Sequence, residues 1–122
     1  MAVKNVCDCP DPPGGRVECE PHQMAACAIV DGVAQRVCLD PPSGGGAREL
    51  VNWALQEITG VSRSPTDRIE GAELQTLLGN RFVRSSGAVV TFSLPETVVN
   101  AVELLMETTS GQGDVMEWEM DL

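Results

Sequence analysis

The chain has 122 residues, the length of one domain, and a formal net charge of −10. A surface this acidic repels phosphate backbones, which argues against binding to nucleic acid and suits a basic protein partner. The longest uninterrupted apolar run, residues 24–30, has only seven residues. A membrane-spanning helix needs about 18–20 residues, so no membrane association is expected.

The first six residues contain one lysine and no apolar stretch of signal-peptide length. A cytoplasmic protein is therefore expected, with a secreted protein as the alternative if a leader was removed and the cysteines are oxidised.

Residues 1–42 hold all five cysteines, and we predict that they form a β-rich segment. The stretch Arg16–Glu20 alternates like a strand, with Val17 and Cys19 on one face. Residues 24–30 and 33–39 flank Asp31-Gly32, a strong signal for a two-residue hairpin turn. That register places Cys27 opposite Arg36. A helix over residues 21–30, with Pro21 at its first position, is the competing interpretation.

Residues 43–110 predict a body with the order helix, helix, β-hairpin, helix. The first helix, 47–58, carries an apolar stripe and stops at Gly60. The second is expected from Pro65 to Leu78, with Ser64 as its N-cap. Residues 81–84 and 89–92 predict the hairpin. The third helix follows a capping-box pattern at residues 93–96, and its core stripe is Val98, Ala101, Val102 and Leu105. The fold class is therefore α+β.

The last segment, residues 111–122, is an acidic tail in which apolar and acidic residues alternate. As a strand it would have one apolar and one acidic face. It is expected either to pack on the chain's own body as an edge strand or to bind a protein partner, including a second copy of the chain. The residues assigned to partner binding are Met116, Glu117, Trp118, Glu119, Met120 and Asp121.

The cysteines and the single histidine allow a metal site or a thiol site in the first segment. Cys19-x2-His22 and Cys7-x-Cys9 together supply four ligands of the kind that zinc prefers in tetrahedral sites. Paired Cys-x2-Cys knuckles are more common in structural zinc sites, and the chain has none. The alternative is that the cysteines are buried thiols or disulfides without metal, with Cys27 and Cys38 as the further candidates. We expect Cys27 to be buried, because it lies in an apolar run.

No residue pattern predicts an enzyme. The chain has one histidine and one lysine, and Gly44-Gly45-Gly46 lacks the spacing and the lysine of a phosphate-binding loop. The sequence therefore predicts a non-enzymatic protein-protein interaction module, such as an adaptor, an inhibitor or an immunity-like factor, that uses its acidic surface and its tail. A zinc-binding or thiol-responsive module is the alternative, and no other cofactor is expected.

Overall fold

The computed structural model describes residues 3–9 and 15–109, and within them it confirms the α+β class. These residues form six strands and three helices, and every strand pair is antiparallel. The elements are β1 (Asn5–Asp8), β2 (Arg16–Cys19), β3 (Met24–Val30), β4 (Val33–Leu39), α1 (Ala47–Thr59), α2 (Gly71–Leu78), β5 (Arg81–Val83), β6 (Val89–Ser93) and α3 (Glu96–Thr109).

A four-stranded sheet with the order β4-β3-β6-β5 forms the centre of the molecule. The hairpin β3–β4 turns at Asp31 and Gly32, whose φ angles of 52° and 79° are both positive, as a type I′ turn requires. Its register places Cys27 opposite Arg36, as the Asp-Gly signal predicted. Residues 24–30 are thus a strand, and the competing helix over 21–30 is wrong.

The central sheet combines the first segment of the chain with its body. β3 lies before the glycine-rich stretch 43–46, and β6 lies after it, yet these two strands pair over five residue positions. The segments 1–42 and 43–110 that composition suggests therefore share one sheet. The tail, 111–122, lies outside the described residues.

One face of the sheet packs against the three helices and forms the main core. Met24 and Ala26 of β3 and Val90 and Phe92 of β6 point to this side, because alternate residues of a strand share a face. The apolar stripes of the helices cover them, and the largest fully buried side chains are Met24, Leu55, Ile58, Ile69, Leu74 and Leu77.

The opposite face of the sheet is covered by the two-stranded hairpin β1–β2. β1 packs over β3 and β6, and β2 packs over β3 and β4. The side chains of Cys7, Val17 and Cys19 point from the hairpin to the sheet and are buried there. The protein thus has three layers, with a small sulfur-containing interface on one side of the sheet and a larger aliphatic core on the other.

The predicted start of the second helix is wrong. Ser64 does not cap a helix; its backbone N–H donates to Oδ2 of Asp67 at 2.7 Å and closes a turn. α2 begins six residues later than expected, at Gly71, after a capping box made by Glu70 and Glu73. α1 and α3 occupy the predicted regions, and α1 ends at Gly60 in the left-handed conformation that its stop signal indicated. Within the described residues, no helix has the length and apolar character needed to cross a membrane.

Candidate functional site

Six buried side chains fill the interface between the β1–β2 hairpin and the sheet, and four of them are cysteines. We call this group the sulfur cluster: Cys7, Cys9, Val17, Cys19, Ala25 and Cys27. One disulfide joins Cys9, just after β1, to Cys27 in the middle of β3. A second joins Cys19 at the end of β2 to Cys38 on β4. The two bonds fasten both strands of the hairpin to the sheet.

Cys7 is the one free thiol among the described residues, and it is only 6% exposed. Its Sγ donates to the hydroxyl of Thr91 at 3.5 Å. That hydroxyl in turn donates to the carbonyl of Asp8 at 3.2 Å. Burial raises the pKa of the Cys7 thiol above its ordinary value of 9.0, an effect that the contact with Thr91 only partly opposes. In this resting arrangement Cys7 is a protonated, shielded thiol.

The hairpin is also tied to the sheet by Asn5 of β1. Its Nδ2 donates to the carbonyl of Gln23 at 2.7 Å and to that of Ser93 at 2.9 Å. The Ser93 hydroxyl donates back to Oδ1 of Asn5. β1 was not predicted from the sequence, because it is short and carries no alternating apolar pattern of its own.

The structure does not bring the four predicted zinc ligands together. Cys9 and Cys19 are each bonded to another cysteine, so neither sulfur is a thiolate. His22 is exposed, and its Nε2 lies 3.3 Å from Oδ1 of Asp40. Within residues 3–9 and 15–109, no three histidine, cysteine or acidic side chains are grouped as a metal would require. With both disulfides formed, Cys9 and Cys19 offer no thiolate ligand, and zinc binding by these four residues stays a prediction.

A polar network that the sequence did not predict joins α1 to the loop before α2. The side chain of Asn52 is 1% exposed, donates to the carbonyls of Pro65 and Asp67, and accepts from Nε of Arg63 at 2.7 Å. Arg63 also contacts Glu73, with 2.6 Å between Nη1 and Oε2. The signal that could have revealed it is an asparagine next to the apolar stripe of α1.

A cavity of about 190 Å³ lies beside this network, with Trp53, Pro42 and Pro65 among its walls. Ligand pockets are usually ~300–1,000 Å³, so this one is small. No buried side-chain nitrogen or oxygen atom among the described residues lacks a hydrogen-bond partner. Every buried polar side-chain atom of the network is thus satisfied within the described part of the chain. We therefore interpret the network as a structural contact that holds the loop between α1 and α2 against α1.

The outward side of α3 is a negatively charged surface. Glu96, Asn100, Glu103 and Glu107 are exposed along it, and Leu104 beside them is 53% exposed. We call these five residues the α3 face. None of its carboxylates forms an ion pair within the described part of the chain. The last turn of α3 also has no basic residue to offset the negative end of the helix dipole.

The tail residues predicted to bind a partner, from Met116 to Asp121, lie outside the described residues. They follow the end of α3 in the chain, so the acidic face and the acidic tail are neighbours in sequence. No protein-family model matches this chain, and no match was found among the curated proteins or the solved structures.

Proposed function

We propose that this chain is a non-enzymatic interaction protein that binds a basic protein partner through the α3 face and the tail 111–122. The observation that carries the proposal is the α3 face, where three exposed carboxylates and an exposed leucine lie along one side of the helix and the carboxylates form no ion pair within the described residues. An apolar residue within a charged rim is the common arrangement of a protein-binding surface.

The distribution of ion pairs supports this choice of surface. The described residues carry 13 acidic and 8 basic side chains, a net charge of −5. Four of the basic residues, Lys4, Arg16, Arg63 and Arg68, pair with acidic residues away from α3. The carboxylates of the α3 face run from the first turn of α3, at Glu96, towards its negative end, at Glu107, and form no ion pair among the described residues. Their field would attract a basic surface and accelerate its association.

The same features disfavour the other classes of function. An acidic helix face repels nucleic acid. General acid–base catalysis at neutral pH usually recruits histidine, and the one histidine is exposed beside Asp40 in the turn between β2 and β3. We therefore propose no catalytic residue.

The test is affinity capture with the full chain and a lysate of the cells that produce it, with bound proteins identified by mass spectrometry. We expect a basic protein whose recovery falls at least tenfold at about 0.5 M NaCl, because salt at that level screens exposed charges. Replacing Glu96, Glu103 and Glu107 by Gln should cause a similar loss. Trp118→Ala tests the tail in the same way.

The matched control removes the same charge elsewhere, with Asp8→Asn, Glu18→Gln and Asp31→Asn. All three residues are exposed and distant in sequence from α3. The control should capture the partner as the unmodified chain does. Equal losses in both triple variants, or capture that does not depend on salt, would contradict the proposal.

A thiol-responsive module is a second candidate, favoured by the free thiol of Cys7 next to a disulfide. Both disulfides are compatible with an oxidising environment. Zinc binding by Cys7, Cys9, Cys19 and His22 would first require the reduction of both bonds and the separation of His22 from Asp40. The thiol chemistry is the stronger form of this candidate.

A further inference from the structure

Three sulfur-bearing side chains, Cys7, Cys9 and Cys27, meet in one part of the sulfur cluster. Cys7 and Cys9 are two residues apart, and both are buried against the same face of the sheet. Cys9 is bonded to Cys27 and Cys7 is free. A thiol and a disulfide are the two reactants of thiol–disulfide exchange, and here one protein layer holds both.

The contacts of Cys7 place its thiol above the strand that carries Cys27. Cys27 and Thr91 are directly opposite each other in the β3–β6 pairing. The Sγ of Cys7 lies 3.5 Å from the Thr91 hydroxyl, and that hydroxyl lies 3.5 Å from the carbonyl oxygen of Cys27. Cys7 is therefore positioned over the Cys27–Thr91 pair, and Cys9 reaches the same cysteine from further along the strand.

We propose that Cys7, Cys9 and Cys27 form an internal thiol–disulfide exchange site, in which Cys7 replaces Cys9 as the partner of Cys27. The Cys7 thiolate attacks Sγ of Cys27, a Cys7–Cys27 bond forms, and the Cys9–Cys27 bond breaks. Cys9 leaves as a thiolate and takes up the proton that Cys7 lost. One disulfide and one thiol are present before and after, so the step needs no external oxidant or reductant.

The strand geometry permits this change without turning the hairpin over. Side chains alternate along a strand, so Cys7 and Cys9 both face the sheet, and Cys7 already lies over the Cys27–Thr91 pair. The Cys19–Cys38 bond stays intact and keeps β2 on β4. The result is a free thiol at the end of β1 in place of one in its middle. After the exchange, Cys9 instead of Cys7 would be the cysteine available to react with external thiols and oxidants.

The environment of Cys7 controls the rate of the exchange. Only the thiolate attacks a disulfide, and burial keeps Cys7 protonated at neutral pH. The exchange is accordingly slow in the resting protein. Below the pKa of Cys7, its rate should rise about tenfold for each unit of pH.

The test follows the location of the free thiol in the unmodified chain, kept in oxygen-free buffer without reductant at about pH 7, 8 and 9. Samples are acidified, unfolded and labelled with N-ethylmaleimide at about pH 5, where exchange is suppressed. A protease that cleaves before aspartate separates Cys7 from Cys9 at Asp8. Mass spectrometry then reports which cysteine carries the label. We expect label on Cys9 and a Cys7–Cys27 peptide, both accumulating faster at higher pH.

Label that stays on Cys7 alone at every pH would overturn the proposal, provided that the chain unfolded in denaturant does exchange under the same conditions.

Two variants give an independent measurement. In Cys9→Ser, oxidation by glutathione disulfide should produce a Cys7–Cys27 bond while Cys19–Cys38 remains. If Cys7 and Cys27 both stay free in that variant while Cys19–Cys38 forms, the proposal is wrong. Cys7→Ala, which keeps the native bonds, should never show label on Cys9.

Discussion

Asn52 shows how one polar residue can fix the course of a loop. It lies beside the apolar stripe of α1, where an unpaired amide would be costly, and its side chain is satisfied by Pro65, Asp67 and Arg63. Through these bonds the loop between α1 and α2 is held against α1. The same bonds hold residues 65–67 in the loop, within the stretch 65–70 that the sequence predicted to be helical.

Asn52→Ala should therefore destabilise the protein by about 2–3 kcal/mol, because it empties a buried amide site and removes three hydrogen bonds, two to loop carbonyls and one from Arg63. Urea unfolding followed by circular dichroism measures the change. Gln75→Ala, at an exposed position of α2, is the matched control and should alter stability by less than about 0.5 kcal/mol. Equal unfolding midpoints for the two variants would show that the network does not contribute as described.

For the cysteines, the sequence predicted the burial of Cys27 but not which cysteines are paired in disulfides. The sequence showed that Cys27 lies in an apolar run, and the structure confirms that it is fully buried. Connectivity depends on which strands face each other across two layers, and the short strand β1 was not predicted. The pairs Cys9–Cys27 and Cys19–Cys38 therefore could not be derived from spacing.

At the scale of the elements, a turn or capping signal in the sequence predicted an element correctly where that signal alone determines the backbone conformation. The Asp31-Gly32 pair fixed the β3–β4 register, since the turn itself demands two positive φ angles.

The start of α2 was predicted wrongly, because two capping patterns compete in that region. Ser64 with Asp67 forms a turn, and Glu70 with Glu73 begins the helix. Arg63 also binds the carboxylate of Glu73, the residue that completes this capping box.

α3 offers a direct test of its two faces, since one of two adjacent leucines is exposed and the other is buried. Leu105 is 5% exposed and belongs to the core, whereas Leu104 is 53% exposed on the α3 face. Leu105→Ala should cost about 2–5 kcal/mol in unfolding free energy, the usual penalty for emptying a buried leucine site. Leu104→Ala should change it by less than about 0.5 kcal/mol.

Chemical denaturation of both variants measures this difference, and similar losses would mean that α3 is oriented otherwise. The pair also serves the functional proposal. Leu104→Ala leaves the core intact, so a decrease in partner capture by this variant would come from the α3 face itself.

For the whole molecule, the net charge of −10 predicts that folding is opposed by repulsion among carboxylates. Added salt screens this repulsion, so the melting temperature should rise between about 20 mM and 0.5 M NaCl. Differential scanning fluorimetry measures the shift. The variant with Glu96, Glu103 and Glu107 replaced by Gln should show a smaller rise. A melting temperature that falls with salt would mean that ion pairs outweigh repulsion.

The pairing of β3 with β6 also sets the order in which the protein can be completed as it is synthesised. Hairpin β3–β4 can close early, and Cys19 can already reach Cys38, yet the helix-facing side of β3 has no cover until residues 89–105 have left the ribosome. Until then Met24 and Ala26 stay exposed to solvent, because Phe92 and α3, which cover them in the folded protein, have not yet been synthesised. Disulfides among the first 38 residues can thus form before the main core does. A wrong cysteine pair formed at that stage would already be present when β6 pairs with β3.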